Sequence, residues 1–325
     1  MKKLINAPEA ALDQSLAGFG RAHGDLVSVH FGPRYVTRAT KKTGKVALIS
    51  GGGAGHEPLH AGFVGKGMLD AACPGEVFTS PTPDQMLAAA EAVDTGAGVL
   101  WIVKNYAGDI MNFEMAADMF DGASETVLTN DDVAVESSTH SQGRRGVAGT
   151  VVVEKILGAA AEQGADLAAL KALGDRVNAA CATIGVALTS CTVPAAGKPT
   201  FELGADEIEF GVGIHGEPGR RRETLRPVDD IVAEMMTIIR GELSPSGNVL
   251  VLVNGMGGTP LMELYLMFDA VSRACDDADL TIARSMVGNL CTSLEMQGAS
   301  VTLANLDDEM MALWDAPVKT AAFHW

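Results

Sequence analysis

Apolar positions follow two rhythms along this chain. Short unbroken apolar runs at 46–50, 99–103 and 249–253 read as buried strands, and each runs straight into a glycine-rich turn. Between them the apolar residues recur at helical spacing, which predicts an amphipathic helix ending near Gly18-Phe19-Gly20 and further helices at 83–93, 113–120, 147–163, 166–181, 228–240, 260–274 and 307–314. Short strands are predicted around 186–188 and 208–211. Alternating strands and helices argue for an α/β protein whose first half holds a largely parallel sheet with helices packed on it. The length, 325 residues, exceeds the size at which one hydrophobic core stops growing. The expectation is therefore two α/β domains with largely parallel or mixed sheets covered by helices, 1–182 and 183–325.

In open α/β sheets the loops leaving the carboxyl ends of the strands converge on one crevice, so polar groups placed there can meet around one ligand. The first turn, Gly51-Gly52-Gly53-Ala54-Gly55-His56-Glu57-Pro58, brings His56; the second, Lys104-Asn105-Tyr106-Ala107-Gly108-Asp109, brings Lys104 and Asp109. A third turn is Asn254-Gly255-Met256-Gly257-Gly258. A further loop, Gly211-Val212-Gly213-Ile214-His215-Gly216-Glu217-Pro218-Gly219, frames a second histidine with glycines and gives it no readable structural duty.

Charge and composition narrow the partners. A formal net charge of −17 opposes nucleic acid and anionic membrane surfaces. The one dense basic cluster, Arg220-Arg221-Arg222 with Arg226, is mixed with Glu217 and Glu223 and reads as a solvated face. Cys73, Cys181, Cys191, Cys275 and Cys291 form no C-x-x-C pair and leave one over, which suits thiols in a reducing, cytoplasmic compartment. No apolar segment follows Met1-Lys2-Lys3 as a signal peptide requires, and no apolar run reaches membrane-spanning length.

His56-Glu57-Pro58-Leu59-His60 matches H-E-x-x-H, but that zinc motif needs both histidines on one continuous helix. Here glycines precede His56, and Pro58 is tolerated only in a first helical turn, so His56 is expected in the loop and His60 one turn into a helix. His215-Gly216-Glu217 has the H-x-E of a deaminase without its P-C-x-x-C, and no metal is expected. The glycine run after 46–50 lacks both the G-x-x-x-x-G-K-[ST] spacing and the acidic partner of a dinucleotide site. A small oxygen-rich ligand lying against bare glycine backbone fits it better. His23, His30, His140 and His324 lack such framing, and Trp101 reads as core. Lys104 suits a ligand contact and a solvent-reaching strand end equally well.

Together, 50–68, Pro74-Gly75-Glu76-Val77-Phe78-Thr79-Ser80-Pro81, Val103-Lys104-Asn105-Tyr106-Ala107-Gly108-Asp109, Met111-Asn112-Phe113, Gly143-Arg144-Arg145-Gly146-Val147-Ala148-Gly149-Thr150, Gly213-Ile214-His215-Gly216-Glu217-Pro218-Gly219 and Asn254-Gly255-Met256-Gly257-Gly258-Thr259 closely resemble the substrate-binding K subunit of dihydroxyacetone kinases, in order and over nearly the whole chain. The resemblance implies a homodimer of two-domain α/β subunits in which His215 bonds covalently to the substrate carbonyl carbon. It matches His56 and Asp109 to the pair handling the hydroxyl proton, and Gly53 and Lys104 to positions at the substrate oxygens. It places no cofactor in this chain. ADP or ATP with magnesium belongs to an L-type subunit, expected as a separate partner because the chain stops at Trp325, and an M-type phosphotransferase-system protein fits that arrangement. Ala54 departs from the serine common there, which leaves triose and tetrulose such as erythrulose both open. A non-catalytic ketose sensor is the reading from another class.

Overall fold

The computed structural model describes residues 2–135 and 143–325; His140 lies outside them. Helix α1 (Ala11–Ala22) leads into strands β1 (Val27–His30) and β2 (Tyr35–Arg38), then β3 (Ala47–Ala54), β4 (Gly65–Lys66) and β5 (Ala71–Val77). Next come α2 (Pro83–Val93), β6 (Val99–Lys104), α3 (Ala107–Met119), β7 (Ser124–Thr129), α4 (Gly149–Glu162) and α5 (Leu167–Ala179). The remainder is β8 (Cys181–Ala187), β9 (Glu207–Phe210), β10 (Arg221–Thr224), α6 (Val228–Leu243), β11 (Gly247–Gly255), α7 (Leu261–Asp276), β12 (Leu280–Gly288), β13 (Gly298–Ala304), α8 (Asp308–Asp315) and β14 (Lys319–Thr320).

Among the described residues the main strands form two six-stranded sheets, ordered β1-β2-β5-β3-β6-β7 and β10-β9-β8-β13-β11-β12. The first has a parallel centre, β5, β3, β6 and β7, with β1 and β2 antiparallel at one edge. The second is antiparallel except for β11 with β12. The α/β class with mixed sheets is thus observed, and the largely parallel sheet is confined to the first half. The expected break between 182 and 183 falls inside β8.

Side-chain alternation along the strands supplies two faces per sheet. On β3, Leu48 faces a core shared with Val151, Val152 and Ile156 of α4, while Ile49 faces Met86 and Ala89 of α2. On β11, Leu250 and Leu252 join that same shared core, while Val249, Val251 and Val253 pack with Met235 of α6 and Val271 of α7. Helix α4 therefore lies between the sheets and is buried from Gly149 to Ala161. A helix apolar all round can only be stable inside. Its two buried charged residues must then find partners. Lys155 donates to the carbonyls of Leu313 and Ala316 at 2.9 and 3.0 Å. Glu154 reaches the site described below.

Several expectations are corrected. Gly51, Gly52 and Gly53 are strand rather than loop, pairing with Cys73, Pro74 and Gly75 of β5. No α-helix follows Pro58; the backbone turns and makes only a short 3₁₀ segment, Ala61–Phe63, so His60 is not on a helix. Helix α3 starts six residues before the expected 113, at Ala107, which puts Asp109 in its first turn. Cys181 opens β8 instead of closing a helix, and Asp166 and Asp307 cap α5 and α8 by accepting from the amides of Ala169 and Met310. Strands β1, β2, β4, β5, β7, β10, β12, β13 and β14 escaped the reading because they are short, lack an unbroken apolar run or are interrupted, as by Pro74-Gly75 in β5. Trp101 is fully buried between Phe113 and Phe120, and Arg221 and Arg226 pair with Glu223 and Glu234 at the surface, as expected. Among the described residues no helix is long and apolar enough to cross a membrane.

Candidate functional site

Strand β6 ends by delivering Lys104 inward. The residue is 1% exposed, which decides between the two readings of it in favour of the interior. Its ammonium contacts the Gly51 carbonyl at 3.1 Å, His60 Nε2 at 3.1 Å and Asp109 Oδ2 at 3.2 Å. A Cβ on Gly52 would overlap that ammonium, so the neighbouring strand must be glycine for the lysine to lie flat along it. Gly53 answers a different demand: a Cβ there would meet the backbone of Phe78 and Thr79. Asp109, 3% exposed, is held by the helix start that Tyr106 introduces.

His56 follows β3 and is buried. Its Nδ1 lies 2.7 Å from the Thr292 carbonyl, and its ring stacks on Phe78 with centroids 5.0 Å apart. A carbonyl only accepts, so Nδ1 carries the proton and Nε2 keeps its lone pair. Burial, then the charges of His215 and Lys104, push the His56 imidazolium well below the ordinary histidine range, and His56 is held neutral.

His215 comes from the loop between β9 and β10. Its Nδ1 lies 2.8 Å from Glu217 Oε1, and its own amide donates to Glu217 Oε2 at 2.9 Å. Burial opposes the Glu217 charge, but the His215 hydrogen bond and the charges of His215 and Arg145 outweigh it and bring the carboxyl down to about 2. Glu217 thus fixes the His215 tautomer by the logic that fixes His56. The two Nε2 atoms then face each other at 3.1 Å, close enough to share one added proton. Tyr106 joins the groups: its ring lies 4.7 Å from the His215 ring, edge-on, and 5.9 Å from Lys104 Nζ.

The structure thus brings His56 to His215 and Lys104 to Asp109, with Gly53 in the adjoining strand. Sequence reasoning missed the placement of Tyr106, Phe78 and Glu217 around His215, and it missed Glu154. A charged pair within the apolar stretch Val151-Val152-Val153-Glu154-Lys155-Ile156-Leu157 was the available signal for Glu154. His56 and His60 do not converge as a zinc pair; their Nδ1 atoms turn to Thr292 and Glu154. Among the described residues no group of three or more histidine, cysteine or acidic side chains could hold a metal.

The Dak1 domain model matches residues 17–322. A relative from Listeria innocua, described as "PTS-dependent dihydroxyacetone kinase 1, dihydroxyacetone-binding subunit DhaK", is 51% identical over 99% of this chain and 100% of its own length. The native dihydroxyacetone kinase of C. freundii superposes with a TM-score of 0.92 at 31% identity, covering 99% of this chain and 60% of that one. A protein described as the dihydroxyacetone kinase operon co-activator Dha-DhaQ superposes with a TM-score of 0.90 at 34% identity, over 95% of this chain and 97% of its own.

Proposed function

The chain belongs to the Dak1 domain family, and from that premise we propose how its site works. It serves as the dihydroxyacetone-binding subunit of a kinase, a phosphotransferase acting on the hydroxyl of a short ketose together with separate partner subunits. The observation that carries the mechanism is the contact of His215 Nε2 with His56 Nε2 at 3.1 Å, beside the Lys104–Asp109 pair.

The Nε2 lone pair of His215 attacks the ketone carbon. The C=O π pair moves onto oxygen, which takes a proton from solvent as the hemiaminal forms, while Glu217 balances the positive charge left on the ring. A polyol such as glycerol offers the same hydroxyls but no carbonyl and is rejected. Gly53 and Lys104 stand at the substrate oxygens. Asp109, with His56, takes the proton of the terminal hydroxyl as that oxygen attacks phosphorus.

An L-type partner holds ADP or ATP with magnesium: the phosphoryl group passes from ATP to the ketose, and an M-type phosphotransferase-system protein rephosphorylates the ADP left behind. This chain matches 60% of the C. freundii chain, which leaves room in that protein for a second module. The protein works in the cytoplasm, as its unpaired buried cysteines support, and as a homodimer of two units, 1–182 and 183–325, each centred on one sheet. A four-carbon ketose such as erythrulose remains the alternative substrate. The likeness to a co-activator favours a second reading, a ketose sensor without turnover. One experiment separates these: the chain is mixed with an L-type subunit and its phosphoryl donor, and turnover of dihydroxyacetone, erythrulose and glycerol is followed. Turnover of dihydroxyacetone is expected; its absence, with ketose still bound, would make the protein a sensor. Crystals soaked with dihydroxyacetone should show density continuous from His215 to a tetrahedral carbon.

A further inference from the structure

His60 takes no part in the mechanism above, and neither does Glu154, yet both are buried and both lead to Lys104. His60 Nε2 lies 3.1 Å from Lys104 Nζ, and its Nδ1 lies 2.5 Å from Glu154 Oε1. An ammonium can only donate, so Nε2 accepts from it; the imidazole proton then sits on Nδ1 and is given to Glu154. Glu154 is completely buried, with the Ser50 hydroxyl as the other polar group at its carboxyl. A carboxyl in the middle of an apolar helix is costly to keep. Burial pushes the Glu154 carboxyl well above the ordinary range and the His60 imidazolium well below it.

Resting on the kinase reading, we propose that His60 and Glu154 are positioning residues: Glu154 orients His60, and His60 fixes the Lys104 ammonium between the Gly51 carbonyl and Asp109. The chain Glu154–His60–Lys104–Asp109 runs from the central helix to the group that takes the substrate proton. Of the three contacts on Lys104, the Gly51 carbonyl is set by the strand and Asp109 changes charge during the reaction. His60 is the contact that keeps the lysine in place while Asp109 is protonated. The second histidine of the false zinc motif thereby acquires a duty.

The test compares His60→Leu, which removes the acceptor, with His60→Gln, whose amide oxygen can still accept from Lys104. In crystals of His60→Leu the Lys104 ammonium should shift by roughly 1 Å or more from Asp109, a displacement that costs turnover without abolishing binding. With the partner subunit and donor present, kcat should fall at least ~10-fold for leucine and recover to within ~3-fold of the parent for glutamine, with KM changed less than ~3-fold in both. Glu154→Leu, which removes the acceptor for His60 Nδ1–H, should lower kcat at constant KM and serves if the His60→Leu variant does not fold. An unmoved Lys104, or a folded His60→Leu or Glu154→Leu with the parent's kcat, overturns the proposal. The crystal readout needs no activity: a parent inactive with its partner would strike the kinase reading, while the position of Lys104 would still decide this one.

Discussion

The two sheets contribute unlike halves to one site. From the first come Lys104 and Asp109, whose side chains are 1% and 4% exposed and locked in a network reaching to the central helix. From the second comes His215, 22% exposed, on a loop, its Nδ1 held by Glu217 and its Nε2 against His56 Nε2. The difference suits the tasks proposed for them. A proton acceptor works through a charge whose surroundings must not rearrange, so it is best embedded among fixed dipoles. A nucleophile that must meet a carbonyl carbon needs an open approach.

The sharpest way to break this comparison is to uncouple the buried half. Lys104→Met leaves the Asp109 carboxylate interred without its cation, and chemical denaturation should show a loss of about 3–5 kcal/mol. A variant as stable as the parent would mean that the buried half is not held by charge. Next in size, Asp109→Asn should bind ketose yet turn over ~10²-fold or more slowly in the reconstituted kinase, the scale of a lost general base; parent-like turnover would reassign the proton acceptor.

The open half should respond differently. His215→Ala should cost about 1–3 kcal/mol, less than uncoupling the buried half, because the ring is part-exposed but its loss leaves the Glu217 carboxylate short of a donor. It should also weaken ketose binding and erase the preference for dihydroxyacetone over glycerol; an alanine variant that still rejects glycerol would end the covalent mechanism. The smallest effect is expected of Glu217. Its folded value of about 2 lies below its ordinary 4.5, so its contribution to stability is present above that ordinary value and is lost as pH falls toward about 2. Glu217→Gln should therefore lose less stability than the parent across that acid window, measured by melting temperature against pH; parallel curves would show that Glu217 is not tied to His215 in solution.

Legibility varied with how local the cause was. The apolar runs at 46–50, 99–103 and 249–253 and most helices were readable, because a strand or helix that must bury its side chains shows it in spacing. Strand β5 was not, since its Ala-Ala-Cys-Pro-Gly-Glu-Val sequence has no apolar rhythm and is held as a strand by β3 and β2 on either side. Glycine acted likewise. Gly51-Gly52-Gly53 suggested a loop by propensity, whereas Lys104 lying across Gly52 and the Phe78–Thr79 backbone against Gly53 make them a strand.

His56, Lys104, Asp109 and His215 were marked as candidates from the sequence alone, because glycine framing at strand ends and a match of motifs in order are properties of the chain itself. Their pairing was decided only by tertiary structure. His56 and His215 are 159 residues apart, and His60 and Glu154 are 94 apart. No local rule relates residues so distant; they meet because two sheets press on one buried helix, whose charged residues must be satisfied wherever the packing leaves them.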